Sequence, residues 1–222
     1  MKILDKRADL GHGDVKKLLF SLSVPTITSQ IVNMLYNLVD RVFIGHMQPA
    51  ETVGKLALTG VGVCLPIIMV ISAFASLMAI GGAPRASIAE GAGESEKSER
   101  IMGNCLTMLV ITALVLTVLF ESFAEPLLLM FGASENTIGY ALDYMRIYAL
   151  GTIFVQLTLG MNAYITAQGF ATVSMKTVLI GALLNTALDP LFIFVLGLGV
   201  RGAALATVIS QAVSAVWVMT FL

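Results

Sequence analysis

Residues 177–200 read TVLIGALLNTALDPLFIFVLGLGV, an apolar stretch with a single charge, Asp189, close to its middle. About 20 apolar residues suffice to cross a bilayer as a helix, so the stretch predicts a transmembrane span with a carboxylate at membrane depth. An ionised carboxylate at the bilayer centre costs at least roughly 2.5–3.5 kcal/mol on insertion scales, so such a residue is a functional hypothesis by default. Pro190 follows directly. Its missing N–H and its ring predict a loosened Thr186 carbonyl and a bend in the helix. Asn185 lies one turn before Asp189, on the same face. A carboxylate, an amide and a freed carbonyl at this depth resemble a small-cation or proton site. The plainer alternative is a polar residue tolerated at a helix–helix contact.

The rest of the chain can be read in the same terms. Of its 222 residues, 57% are hydrophobic and only 12% charged, about half the charged share of a soluble domain, and the mean hydropathy is +0.90. A net charge of −1 without a basic cluster gives no sign of nucleic-acid binding. Cys64 and Cys105 each stand alone in an apolar run, without metal or redox spacing, and read as small buried side chains. Residues 1–17 form a polar N-terminal segment, predicted to be cytoplasmic. It is not a signal peptide, because a full-length span follows with no small-residue cleavage site.

The predicted fold is an all-α membrane protein, a six-transmembrane-helix bundle over residues 18–222. The first span covers residues 18–39, where Asp40 and Arg41 interrupt it and residues 42–45 offer a continuation. The second covers residues 56–80. Residues 81–100 are rich in Gly, Ser and charge and predict a loop outside the hydrocarbon. The third span is residues 101–120, and residues 126–131, too short to cross, are expected at the interface. The fourth starts near residues 143–146 and ends near Ala167, the fifth is the opening stretch, and the sixth is residues 202–222.

Loop cations set the expected orientation. With the N-terminus inside, Lys2, Lys6, Arg7, Lys16, Lys17, Arg85, Lys97, Arg100 and Lys176 fall inside, against Arg41, Lys55, Arg146 and Arg201 outside. Both termini are therefore expected in the cytoplasm, with the bundle in the cell (inner) membrane. The last span stops at Leu222 without a polar anchor, which leads us to expect a piece of a longer chain.

Polar residues recur at helical spacing. The first helix carries Thr26, Ser29, Gln30, Asn33, Tyr36, Asn37 and Asp40 on one face. Facing lipid, these amides would lack partners, so the stripe is expected to face the bundle interior or a water-filled cavity. Polar contacts between helices are the alternative, but they do not need a carboxylate. Gln156, Thr158, Asn162 and Thr166 on the fourth helix, and Thr207, Ser210, Gln211 and Ser214 on the sixth, read singly as helix packing, but together with Asp40 and Asp189 they could build one polar pocket. His12 and His46 stand at polar ends and are read as solvated.

Four motifs in order along these helices carry a resemblance. They are QIVNMLYNLVDRVFIG with the preceding Pro25, AQGF at residues 167–170, NTALDPLFIF around Asp189, and RGAALAT at residues 201–207. Together they resemble the MATE (multidrug and toxic compound extrusion) transporters, in their prokaryotic DinF-like branch. The resemblance covers nearly the whole chain and only the first (N-terminal) lobe of the family. It implies a secondary transporter of two six-helix lobes working by alternating access. Such an antiporter exports small organic, cationic compounds against inward Na⁺ or H⁺, with no cofactor beyond that ion. The family's first-lobe cation site maps onto Asp40 and Tyr36, Asn162, Asn185 and Asp189, and Thr207, with Tyr144 a weaker match. A second six-helix lobe is the implied partner.

Two carboxylates in one low-dielectric pocket cannot both stay ionised cheaply, so a proton or Na⁺ would relieve the cost. Asp189 is the expected charge carrier and Asp40 its coupled partner, with occupation changing the bend at Pro190. Rival readings are a lipid-linked oligosaccharide flippase, which needs cavity cations where this chain has acids, and a non-transporting membrane scaffold subunit. Nothing suggests an enzyme: there is no paired-carboxylate metal motif, no HExxH and no nucleophile elbow.

Overall fold

A computed structural model of the chain describes residues 14–222. Residues 1–13, with Lys2, Lys6, Arg7 and His12, lie outside the described residues. Helix α1 (Val15–Gly45) starts at Asp14, whose carboxylate accepts a hydrogen bond from the Lys16 amide at 2.9 Å. Pro25 withdraws one backbone donor from α1, and the hydroxyls of Thr26 and Ser29 donate to Leu22 O at 2.7 Å and Pro25 O at 2.8 Å beside it. The helix passes Asp40 and Arg41 without a break. Asp40 is buried at 8% exposure, so the charge is absorbed by turning inward rather than by ending the span.

A π turn (Ala50–Gly54) leads into α2 (Lys55–Val63) and α3 (Leu65–Gly91). The break at Cys64 falls just ahead of Pro66, which sits in the first turn of α3, where a missing N–H costs nothing. Residues 81–100 do not form the expected loop. Helix runs to Gly91 and resumes with α4 (Ser95–Met130), leaving only residues 92–94 between them. The stretch is rich in Ala, Glu, Lys and Arg, which favour helix. A helix also satisfies its own backbone, so it can carry charges out past the hydrocarbon edge. Helix α4 likewise takes in residues 126–130 and is capped at Phe131, kinking at Phe123 (φ −118°, ψ 19°), where the ring of Pro126 disturbs the preceding turn.

The fourth span is two helices, α5 (Ile138–Leu150) and α6 (Thr152–Ala167), which meet at Gly151 with a bend of 57°. Helix α7 (Ala171–Pro190) passes Pro190 into a second π turn (Leu191–Val195). Pro190 thus marks a change of winding, from α to π, within one 25-residue apolar segment. Helix α8 (Val200–Phe221) completes the bundle. Among the described residues there is no strand. Five segments are long and apolar enough to cross a membrane (Val15–Gly45, Ala50–Gly91, Ser95–Met130, Ala171–Val195, Val200–Phe221), and the α5–α6 pair makes a sixth. The chain is a multi-pass membrane protein of the predicted fold class.

Packing places α1 against α7, α7 and α6 against α8, and α3 against α4 and α6. Two apolar clusters form. One gathers Ile44, Ile67, Met145 and Val200; the other gathers Leu109, Met161, Tyr164 and Val218. Close approach depends on glycine where α8 begins. A Cβ on Gly202 would lie 2.7 Å from the carbonyl carbon and oxygen of Phe192, so α8 rests directly on the backbone of the second π turn.

Candidate functional site

Beside the first of these clusters, polar side chains at helical spacing converge on one cavity of about 210 Å³. From α1 come Asn33, Tyr36, Asn37, Asp40 and Arg41, and from α5 Tyr144 and Tyr148. Helix α7 adds Thr177, Gly181 and Asn185, one turn apart in succession. Helix α8 adds Thr207, Ser210, Gln211 and Ser214, and α6 adds Thr158. Gly181 lets α8 come close, since a Cβ there would stand 2.7 Å from Ser214 Oγ.

At the inner end of this cavity Asn185 acts as a fork. Its Nδ2 donates to Asp189 Oδ1 at 3.2 Å and to Thr207 Oγ1 at 3.4 Å. Asp189 is fully buried behind it, at 0% exposure, and Asn185 is at 1%. Tyr36, Tyr144 and Gln211 line the cavity beside this fork, so α1, α5, α7 and α8 all contribute to it. The rings of Tyr144 and Tyr148 stack at 5.9 Å. The charge of Asp40 acts on Asp189 across the site, and that of Arg41 acts on Asp40.

Several buried oxygens here have no hydrogen-bond partner: Asp40 Oδ1, Asp189 Oδ2, Asn185 Oδ1, Ser210 Oγ and Gln211 Oε1. Unpaired buried acceptors are costly, and buried carboxylates more so. A set made of carboxylate, amide and hydroxyl oxygens suits a hard cation or a proton rather than a soft transition metal. The arrangement therefore fits a ligand that brings positive charge or hydrogen-bond donors.

The sequence-predicted residues divide as follows. Tyr36, Asp40, Tyr144, Asn185 and Thr207 line the cavity, and Asp189 is reached through Asn185. Asn162 does not join them: it is not among the lining residues, and its Nδ2 donates to Ser174 O at 3.3 Å, tying α6 to α7. The α1 stripe also divides. Its later residues line the cavity, whereas Thr26 and Gln30 are exposed. Arg41, counted among the outside cations, lines the cavity beside Asp40. Tyr148 and Thr177 were not singled out. The i, i+4 repeat from Tyr144 to Tyr148, and from Thr177 through Gly181 to Asn185, is the signal that could have found them.

These features define a class: a membrane-embedded helical lobe built around a polar cavity with two buried acids. The MatE family model matches residues 25–191, and the chain belongs to the MatE family. It is 29% identical over 210 residues to the multidrug export protein MepA of Staphylococcus haemolyticus (strain JCSC1435), covering 95% of this chain and 45% of that protein. It superposes on a crystal structure of MATE in the bent conformation with a TM-score of 0.86 at 28% identity, covering 95% of this chain and 46% of that one. An outward-facing multidrug resistance MATE family transporter of the MOP superfamily gives 0.85 at 28% identity, covering 94% and 45%. The chain thus spans about half the length of the relatives it matches.

Proposed function

We propose that this lobe holds the coupling-ion site of an antiporter that exports small organic cations against inward Na⁺ or H⁺, working with a second six-helix lobe. The observation that carries the reading is the pair of buried acids, Asp40 and Asp189, electrostatically linked across a cavity with unpartnered oxygens. Keeping both carboxylates ionised in such surroundings is costly, and one proton or Na⁺ offsets much of that cost. Each charge moving inward down the membrane potential releases about 2.3 kcal/mol per 100 mV, enough to drive modest export. Asp189 carries the exchangeable charge and Asp40 couples to it. Asn185 and Thr207 orient the inner carboxylate, and Tyr36 and Tyr144 close the wall. Asn162 belongs to the α6–α7 contact in this reading.

The loop cations favour both termini in the cytoplasm and the bundle in the cell (inner) membrane. The export activity of the MepA relatives supports the choice of drugs and toxic organic compounds as cargo. The test is dye efflux from proteoliposomes that hold this lobe with its second lobe, under separate Na⁺ and pH gradients. Efflux should follow one of the two gradients and be lost in Asp189→Asn, with folding intact. Efflux that persists undiminished in that variant defeats the assignment.

A further inference from the structure

Away from the polar cavity, α3 and α4 diverge into an open groove of about 1050 Å³ near their joint at residues 92–94. Its lining is graded along its length. At one end stand Leu77, Met78 and Ile80; at the other stand Arg85, Glu94 and Lys97. Leu77 and Arg85 are eight residues apart on α3, about 12 Å along the axis at the helical rise of about 1.5 Å per residue. Part of the floor is bare backbone, because Gly81 has nothing within 4 Å of where a Cβ would sit. The walls are apolar and open, with Leu77, Ile80 and Ile88 at 61%, 75% and 72% exposure.

The charges at the mouth are two cations against one acid, Glu94, which is engaged by Lys97 at 2.6 Å. The groove therefore pairs an excess positive charge with an apolar channel, at the level where α3 and α4 pass from charged to apolar sequence. We infer that this groove is a site for an anionic phospholipid, its phosphate beside Arg85 and Lys97 and an acyl chain along Gly81 towards Leu77. Charge complementarity favours an anionic headgroup over a zwitterionic one, since each cation near an anionic lipid surface contributes about 1 kcal/mol, a factor of about five in affinity. The inference rests on the membrane-spanning fold and is independent of the transport reading.

The chain purified in detergent can be titrated with phosphatidylglycerol or phosphatidylcholine, with retained lipid counted by native mass spectrometry. One phosphatidylglycerol per chain should be held in preference to phosphatidylcholine, and equimolar inorganic phosphate should not displace it. Arg85→Gln should weaken phosphatidylglycerol about fivefold and leave phosphatidylcholine unchanged. Gly81→Trp fills open space, so helical circular dichroism should be preserved while both lipids are lost. A photoactivatable probe on Ile88→Cys in native membranes should label lipid. Equal retention of the two lipids, displacement by phosphate, unchanged binding in both variants, or labelling of a polypeptide in place of lipid would each overturn the assignment.

Discussion

Asn185 offers the sharpest test of the inner site. Its Nδ2 reaches Asp189 Oδ1 at 3.2 Å, and Asp189 is at 0% exposure, so in the intact chain the amide rather than bulk water serves this oxygen. A hydrogen bond to a charged group contributes about 1.5–3 kcal/mol, whereas neutral side-chain bonds in membrane helices average only about 0.6 kcal/mol. At alkaline pH, with Asp189 ionised, the larger range applies, and Asn185→Ala should destabilise the chain by about 1.5–3 kcal/mol. The pair can be isolated with a double-mutant cycle of Asn185→Ala and Asp189→Ala. The double variant should lose less than the sum of the singles, by a coupling energy in that same range. Unfolding in detergent micelles, followed by helical circular dichroism for the four proteins, gives the number. Coupling below about 0.3 kcal/mol would refute the reasoning, since it would mean the amide does not support a charge at all.

Gly202→Val should cost at least about 1–3 kcal/mol in the same assay, because the atoms its Cβ would meet are Phe192 backbone, 2.7 Å away, and cannot step aside as a side chain would; a loss under about 0.5 kcal/mol counts against direct packing of α8 on the π turn. Arg201→Ala should leave stability nearly unchanged despite its 2.8 Å contact with Asp143, because the two side chains are 63% and 40% exposed. Any loss should shrink further in high salt, and a large, salt-independent loss would mean the pair does more than bridge α5 and α8 at the surface.

How much of this is legible in the sequence depends on the range of the interaction. Asp189 and Asn185 are one turn apart on one helix, as are Tyr36 and Asp40, so local spacing alone paired them. That Thr207 meets Asn185, and that Gln211 lines the cavity with Tyr36, depends on how α8 seats against α7 and α1, which no periodicity encodes. Asn162 illustrates the same limit: the spacing of its stripe was right, but the side chain turns to Ser174 rather than to the cavity. Residues 81–100 misled because glycine, serine and charge were read as loop chemistry, when a helix can carry them beyond the hydrocarbon. Pro190 drew attention as a bend, yet the bend of 57° falls at Gly151, in a run where nothing but the glycine marks it. Asp40 and Arg41 read as interrupting the first span, and the uninterrupted α1 instead carries Arg41 to the cavity wall.

The most direct test of the buried acids as an ion site is cation binding by the purified chain, read as saturable uptake of radiolabelled Na⁺ and, in parallel, as proton release in weak buffer. A site built on Asp40 and Asp189 predicts one saturable signal in the wild type, for Na⁺ or for protons, that disappears in both Asp40→Asn and Asp189→Asn. The same signal persisting in both variants, or no signal for either ion in the folded wild type, would contradict it.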